Sequence, residues 1–310
     1  MQIKAQILFV LSTLLLSLGA QAQDREQAMV MSLGDFSSGR MSTSYFSIYS
    51  VANMKPGKDE PHGGRNIGGD NYFSLNYRID QDRKVSLRLP FTYQSAGYNE
   101  YGDFETERGD LQDIFVSMSF YDLGYIGAID ISGAIKLYAP TSANSQNSGM
   151  ISRLRGEFFF DWNFTRFSSL TYVLKPGMFF QGNTAYINDM AGVDDNGMYY
   201  SDPRSTTKQF ELEHYLELVA DVNQYLAFKP RLGFDEEWKY GSVANDIPAS
   251  HVTKAVAGFG VELRPIRRWN MTVGVQNETI LNSYRGKDIA FMQPENTSFF
   301  LMTNLFLFNL

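Results

Sequence analysis

The chain has 310 residues with 27 basic and 34 acidic side chains, a net charge of −7 and no cysteine. The missing cysteine excludes disulfides, thiol catalysis and zinc-thiolate sites, and the acidic balance argues against a nucleic-acid partner. Hydrophobic residues make up 44% and aromatics 15%, yet beyond the N-terminus no stretch approaches the roughly 18 consecutive apolar residues of a membrane helix.

The first element is a signal peptide over 1–22. Lys4 supplies the positive end, Ile7 to Leu18 the apolar run, and Ala20-Gln21-Ala22 a small-x-small cleavage site. The mature chain starts at Gln23 on this reading. The segment 23–40 is a periplasmic tail or a small plug entering the domain that follows, which fills 41–310.

From residue 41 onward the sequence alternates apolar and polar positions in segments of about ten residues, the period of a strand with a different solvent on each face. Twelve strands are predicted: 41–53, 71–79, 84–94, 110–121, 127–139, 150–163, 168–181, 207–220, 225–239, 251–263, 269–282 and 298–310. Connections after odd strands are long: 54–70, 95–109, 140–149, 182–206, 240–250 and 283–297. Those after even strands are short: 80–83, 122–126, 164–167, 221–224 and 264–268. This is the pattern of a single antiparallel transmembrane β-barrel of the Gram-negative outer membrane, all-β, with short periplasmic turns, long extracellular loops and both termini in the periplasm.

Charges settle which face is which. In strand 8, Phe210, Leu212, Leu216 and Leu218 share one side and Glu211, Glu213 and Glu217 the other. In strand 6, Leu154, Phe158, Phe160 and Trp162 oppose Arg153, Arg155, Glu157 and Asp161. In strand 9, Leu226, Phe228, Leu232 and Phe234 oppose Lys229, Arg231 and Asp235. A lipid-facing Arg or Lys at mid-bilayer costs roughly 2–4 kcal/mol, and a one-residue slip would expose every charge at once. Trp162, Trp269, Tyr121, Tyr125, Phe164, Phe167 and Tyr225 are expected in a lower aromatic girdle. Trp238, Tyr72, Tyr93, Tyr240 and Tyr284 are expected in an upper one. The last strand, ending Phe306-Leu307-Phe308-Asn309-Leu310, has the alternating apolar pattern of a barrel-assembly signal.

The inward set is nearly balanced in sign. Arg78, Arg88, Lys136, Arg153, Arg155, Lys175, Lys229, Arg231 and Lys254 face Asp113, Glu157, Asp161, Glu211, Glu213, Glu217, Asp235, Glu237, Glu262 and Glu278. Such a set either pairs across strands and stiffens the interior or orients a permeating solute. The candidate transport path comprises Arg88, Asp113, Lys136, Arg153, Arg155, Glu157, Lys175, Glu211, Glu213, Glu217, Lys229 and Arg231. Pro90, Pro176 and Pro230 fall inside strands, where each removes a ladder donor and implies a bulge or break. Pro90 is the candidate opening in the wall, through which an apolar solute leaves sideways into the membrane.

Val85-Ser86-Leu87-Arg88-Leu89-Pro90-Phe91 is followed by Gly109-Asp110-Leu111-Gln112-Asp113 and then by Ile135-Lys136-Leu137-Tyr138-Ala139-Pro140-Thr141. This succession resembles the outer-membrane barrels of the meta-pathway of phenol degradation, relatives of the long-chain fatty-acid transporter. Their pattern runs V-P-Y, G-D-L and K-L-P-T-G. The likeness covers strands 3 to 5. Tyr138 and Ala139 are inserted before the proline, and Ser142 stands where the pattern has glycine. The resemblance implies uptake of small hydrophobic or aromatic compounds and a kink near Pro90.

The loops add less. Asp194-Asp195-Asn196-Gly197 and Asp202 lack EF-hand spacing and read as a turn with solvated acids. Tyr186, Met198, Tyr199 and Tyr200 in the same loop are candidates to constrict the mouth. Three histidines, His62, His214 and His251, offer little for catalysis. His251-Val252-Thr253 is a distant echo of a lipid hydrolase on an outer wall, with the wrong nucleophile. No metal or cofactor motif is present, and no surface feature fixes an oligomeric state. The expected partners are outer-membrane lipid, the barrel-assembly machinery and a small solute. A non-enzymatic passive channel is the leading expectation. A closed structural or adhesin-type barrel working through its loops is the alternative, and a lipid hydrolase a distant third.

Overall fold

The computed structural model describes residues 40–52, 67–98, 104–187, 204–242, 247–266, 268–281 and 297–309. The expected signal peptide, the segment before Arg40, His62, Tyr284 and most of the long loops lie outside them. Twelve long strands are present: β1 Met41–Ala52, β2 Gly68–Arg78, β3 Arg83–Gln94, β4 Phe115–Ile126, β5 Ile129–Tyr138, β6 Met150–Thr165, β7 Ser168–Gln181, β8 Lys208–Asn223, β9 Leu226–Lys239, β10 Ser250–Ile266, β11 Trp269–Ile280 and β12 Thr297–Asn309. A short strand, Arg108–Leu111, extends the line of β4. Each strand pairs antiparallel with its sequence neighbours, and β1 pairs with β12 from Ser42↔Asn309 to Ala52↔Ser298. The sheet therefore closes into a barrel without a free edge.

The distribution of residues is inside-out. Leu137 is 55% exposed and Leu232 58%, whereas Glu262 is 1% exposed and Ser86 and Ser117 are fully covered. A water-soluble domain would bury the leucines. An apolar outer wall around a polar interior is stable only where the surrounding solvent is hydrocarbon. Trp162 and Trp269 lie toward the short-turn end and Trp238 toward the long-loop end.

The short turns are tighter than expected. The strands continue through the predicted turns until two residues remain at 127–128, 166–167 and 224–225. At 122–126 the strand persists because Gly124 (φ 126°) absorbs a register shift and Gly127 (φ 64°) turns the chain. Both φ values lie where a side chain is strained and glycine is not. A second shift, between Thr43 and Ser44, reverses the side of the residues after Phe306. Phe306 is buried inside while Phe308 is half exposed outside, so the terminal apolar alternation does not stay on one face. Two girdle assignments also change. Tyr72 stacks on Phe46 within the barrel, and Tyr121 lies under the Lys84 ammonium on the interior side.

Pro176 and Pro230 make no bulges. Opposite each, the ladder loses rungs on one side and resumes in unchanged register, at Gly177↔Arg155 and Ala220↔Phe228 respectively. Pro90 differs, because there the partner strand is itself interrupted.

Candidate functional site

The interior divides into sectors. From β5 to β10 it is a belt of ion pairs. Lys136 meets Glu157 at 2.5 Å, Lys175 meets Glu213 at 2.7 Å, and Lys229 meets Glu217 at 3.0 Å and Glu262 at 3.5 Å. Arg155 reaches Glu213 at 2.5 Å and Glu211 at 3.4 Å, and Arg153 also bonds Glu211. Arg264 joins Asp221 (3.1 Å) to Glu262 (2.8 Å) nearer the short-turn end. Arg153 and Arg155 are on β6 and Glu211 is on β8, so these bonds cross β7. They cross at Gly177, where a Cβ would stand 2.6 Å from Glu211 Cγ.

From β9 to β12 the wall is floored with glycine. A Cβ on Gly258 would lie 3.1 Å from Arg231 Nε, and one on Gly274 would lie 2.5 Å from Phe300 Cζ. Arg231 and Phe300 lie down over these positions toward each other, with the guanidinium carbon 5.8 Å from the ring centre. Arg231 has no carboxylate within 4.0 Å among the described residues, and its buried Nε has no hydrogen-bond partner.

From β2 to β5 the interior is basic and aromatic. The Arg88 guanidinium lies over both Tyr72 and Phe115, 4.8 and 5.4 Å from their ring centres, and the two rings meet at 69° with centres 6.5 Å apart. Phe115 stacks on Tyr138 at 4.5 Å, and Tyr72 on Phe46 at 4.7 Å. Arg78 and Lys84 oppose each other in register below, an arrangement of like charges that is unfavourable in itself. The aromatic half of this sector escaped the sequence reading. The parity of Tyr72 with Ser74 and Asn76 was the available signal.

Above Arg88 the wall is interrupted. The β3–β4 ladder runs from Arg83↔Phe120 to Arg88↔Phe115, lapses at Leu89 and Pro90, and resumes at Phe91↔Leu111 against the short strand. The Pro90 carbonyl accepts from the Gln112 N–H at 3.0 Å. In an antiparallel ladder a residue's N–H points the same way as its C=O, so the donor that proline lacks belongs to this gap. Thr141 closes the other side. Its hydroxyl accepts from Ile114 N–H (2.9 Å) and donates to the Gln112 carbonyl (3.0 Å). The three sequence segments that carry the family resemblance thus converge on one place.

Asp113 lies in the interruption at 112–114 and accepts from Ser142 N–H at 2.9 Å and from the Ser145 hydroxyl. It thereby anchors the short helix α1, Ala143–Asn147, whose N-cap is Ser142. Ser142 is useful where the family pattern has glycine because it caps that helix. The other strand-borne candidates face the interior: Arg88, Lys136, Arg153, Arg155, Glu157, Lys175, Glu211, Glu213, Glu217, Lys229 and Arg231. Tyr186 sits in the hairpin Ala185–Ile187 with Arg204–Thr206. Met198, Tyr199 and Tyr200 lie outside the described residues, as do Asp194 and Asp202.

Among the described residues the outer wall carries a polar chain around Glu236. Glu236 lies 3.6 Å from His214 Nε2 and 3.0 Å from His251 Nε2. Tyr172 Oη reaches His214 Nδ1 at 3.4 Å, and Thr253 Oγ1 is 3.4 Å from His251 Nε2. A hydrolytic triad needs the acid on one ring nitrogen and the nucleophile on the other. Here both approach Nε2, so Glu236, His251 and Thr253 do not make one. Among the described residues no group of three or more His, Cys, Asp or Glu is placed to hold a metal.

No family model matches the chain, and no curated protein matches it significantly. Solved structures do. The COG4313 outer membrane channel from Pseudomonas putida F1 superposes with a TM-score of 0.52 at 9% identity, covering 87% of this chain and 97% of that one. The NanC porin gives 0.44 at 8% identity over 86% and 100% of the two chains. The translocator domain of the autotransporter NalP from Neisseria meningitidis gives 0.42 at 10%, over 91% and 94%. At such identities the first superposition speaks to fold alone and the two lower scores add nothing to it. The chain has the fold of an outer-membrane β-barrel.

Proposed function

We propose that the protein is a passive outer-membrane channel for small hydrophobic or aromatic solutes, with its short turns and both termini in the periplasm and its long loops outside. The observation that carries this reading is the wall interruption opposite Pro90, bordered on the inside by Tyr72, Phe115 and Tyr138. An apolar solute leaving through the wall needs a gap in the ladder and a stacking surface leading to it. Two further features support it. Arg231 and Phe300 lie over glycines, and the segments shaping the gap resemble those of phenol-degradation barrels. The ion-pair belt favours the alternative of a closed barrel that works through its loops.

Entry of the hydrophobic dye N-phenylnaphthylamine into Gram-negative cells with an intact outer membrane separates the two. Cells making the protein take up dye faster than cells carrying the empty vector. Pro90→Ala, which restores an N–H toward Gln112 and narrows the gap, lowers that rate. Dye entry equal to the empty vector, together with a silent refolded protein in a planar bilayer, rejects the channel and leaves the closed barrel.

A further inference from the structure

The guanidinium of Arg88 has five donors, and the only hydrogen bond found for it among the described residues is a long one, Nη1 to Tyr72 Oη at 3.4 Å. Its Nε is buried without a partner. Among the described residues no carboxylate approaches within 4.0 Å of it, whereas Lys136, Arg153, Arg155, Lys175 and Lys229 each have one. The neighbouring cations Arg78 and Lys84 lack one too, and Lys136, 5.6 Å from the Phe115 ring, is already matched by Glu157. Among the described residues, the barrel pairs Lys136, Arg153, Arg155, Lys175 and Lys229 with carboxylates, leaves Arg231 on β9 without one, and leaves the β2–β4 sector positive.

Cation–π contact with Tyr72 and Phe115, whose rings meet at 69°, holds the guanidinium in the corner they form. These contacts leave most of the N–H donors without a partner. A guanidinium with unpartnered donors is a planar fork that can receive a carboxylate through two parallel hydrogen bonds. Phe115 stacks on Tyr138 and meets Tyr72 edge to face, so the three rings form an aromatic corner below the interruption at Gln112–Ile114.

We infer that Arg88, with Tyr72, Phe115 and Tyr138, forms a binding site inside the barrel for a small aromatic carboxylate, the acid on the guanidinium edge and the ring against the aromatic wall. This rests on the channel reading and names the solute class that the channel takes.

Equilibrium dialysis of the refolded protein in detergent micelles against radiolabelled benzoate tests it, with empty micelles as baseline. Benzyl alcohol provides the ring without the charge and hexanoate the charge without the ring. Folding of every variant is verified by heat-modifiable migration on a gel. Benzoate binds saturably and more tightly than either control. Arg88→Gln weakens it by about tenfold or more, as expected for a lost pair of charge-assisted hydrogen bonds. Arg88→Lys retains part of the binding, and Tyr72→Phe, which keeps the ring, retains most. Absence of saturable benzoate binding overturns the site, as does equal binding of benzyl alcohol or of hexanoate, or binding indifferent to Arg88→Gln in a folded variant. Because dialysis involves no transport, the two proposals fail separately. Arg88-dependent binding without dye entry removes the channel and keeps the site. Dye entry without Arg88-dependent binding removes the site alone.

Discussion

Arg155 on β6 and Glu211 on β8 stand at one level on either side of β7, and their side chains meet at 3.4 Å above Gly177, which is in register with both. Two strands that share no hydrogen bond are tied together because the strand between them contributes no side chain. Gly177→Val fills that space, displaces Glu211 and separates it from both Arg153 and Arg155. Overpacking of this kind costs about 1–3 kcal/mol. The expected result is a lower urea midpoint for the refolded barrel with strand content unchanged by circular dichroism. An unshifted midpoint removes the bridge from the list of stabilising contacts.

Glu262 is the most deeply covered charge of the interior and joins Lys229 on β9 to Arg264 on its own strand. Glu262→Ala leaves two cations facing a void. Removing one partner of a buried pair costs about 3–5 kcal/mol, and the retained contacts Lys229–Glu217 and Arg264–Asp221 place this case at the lower end. Urea unfolding of wild type and variant in the same detergent gives the difference. Glu262→Gln, which keeps the shape and some acceptors, loses less.

On the outer wall, Glu236 is the common partner of His214 and His251. Glu236→Ala removes the carboxylate that His214 and His251 share on a surface built for lipid, and losing a hydrogen bond in such a place costs about 1–3 kcal/mol. A fall in thermal midpoint in lipid bilayers, larger than that for Glu236→Gln, is the expected outcome. Since acid and hydroxyl crowd one nitrogen of His251, purified protein shows no phospholipid hydrolysis, and His251→Ala changes nothing in that assay.

The turn after β2 supplies a pH effect. The Arg83 guanidinium hydrogen-bonded to Asp80 (Nε to Oδ2, 2.8 Å) holds the Asp80 carboxyl below the usual carboxylate range. A depressed folded-state pKa stabilises above the unfolded value and is lost as pH falls through the folded one. The small gap in thermal midpoint between wild type and Asp80→Asn is therefore full at neutral pH, narrows below about pH 4 and closes on further acidification. A gap that widens with acid contradicts the assignment.

The twelve strands and the facing of most charges were legible because a period of two, enforced by lipid on one side, admits a single register. The fate of individual residues was less so, for identifiable reasons. Asp113 lies in a stretch whose alternation continues the strand, but its geometry is set by Thr141 and Ser142, nearly thirty positions later. Tyr72 and Tyr121 were read as girdle residues because aromatics favour interfaces, and the parity of their strands places both inside. The reversal after Phe306 comes from one bulge opposite Thr43 and Ser44, which no local pattern marks. Pairing among the lumen charges depended on Gly177, where the informative feature was an absent side chain. Loop residues such as Met198 and Tyr199 lie beyond what the structure describes.

A closed sheet carries load around its circumference as a hoop does, each rung passing tension to the next. At Gln112–Ile114 that hoop is narrowed. The β3–β4 rungs lapse, and the junction is held by the Pro90 carbonyl, the Thr141 hydroxyl, the Ala139 N–H on the Ile114 carbonyl and the bonds from Asp113 to Ser142 and Ser145. A hoop with fewer backbone rungs yields more readily than one with an unbroken ladder, and faster amide hydrogen exchange at 112–114 than along the flanking strands is the expected sign.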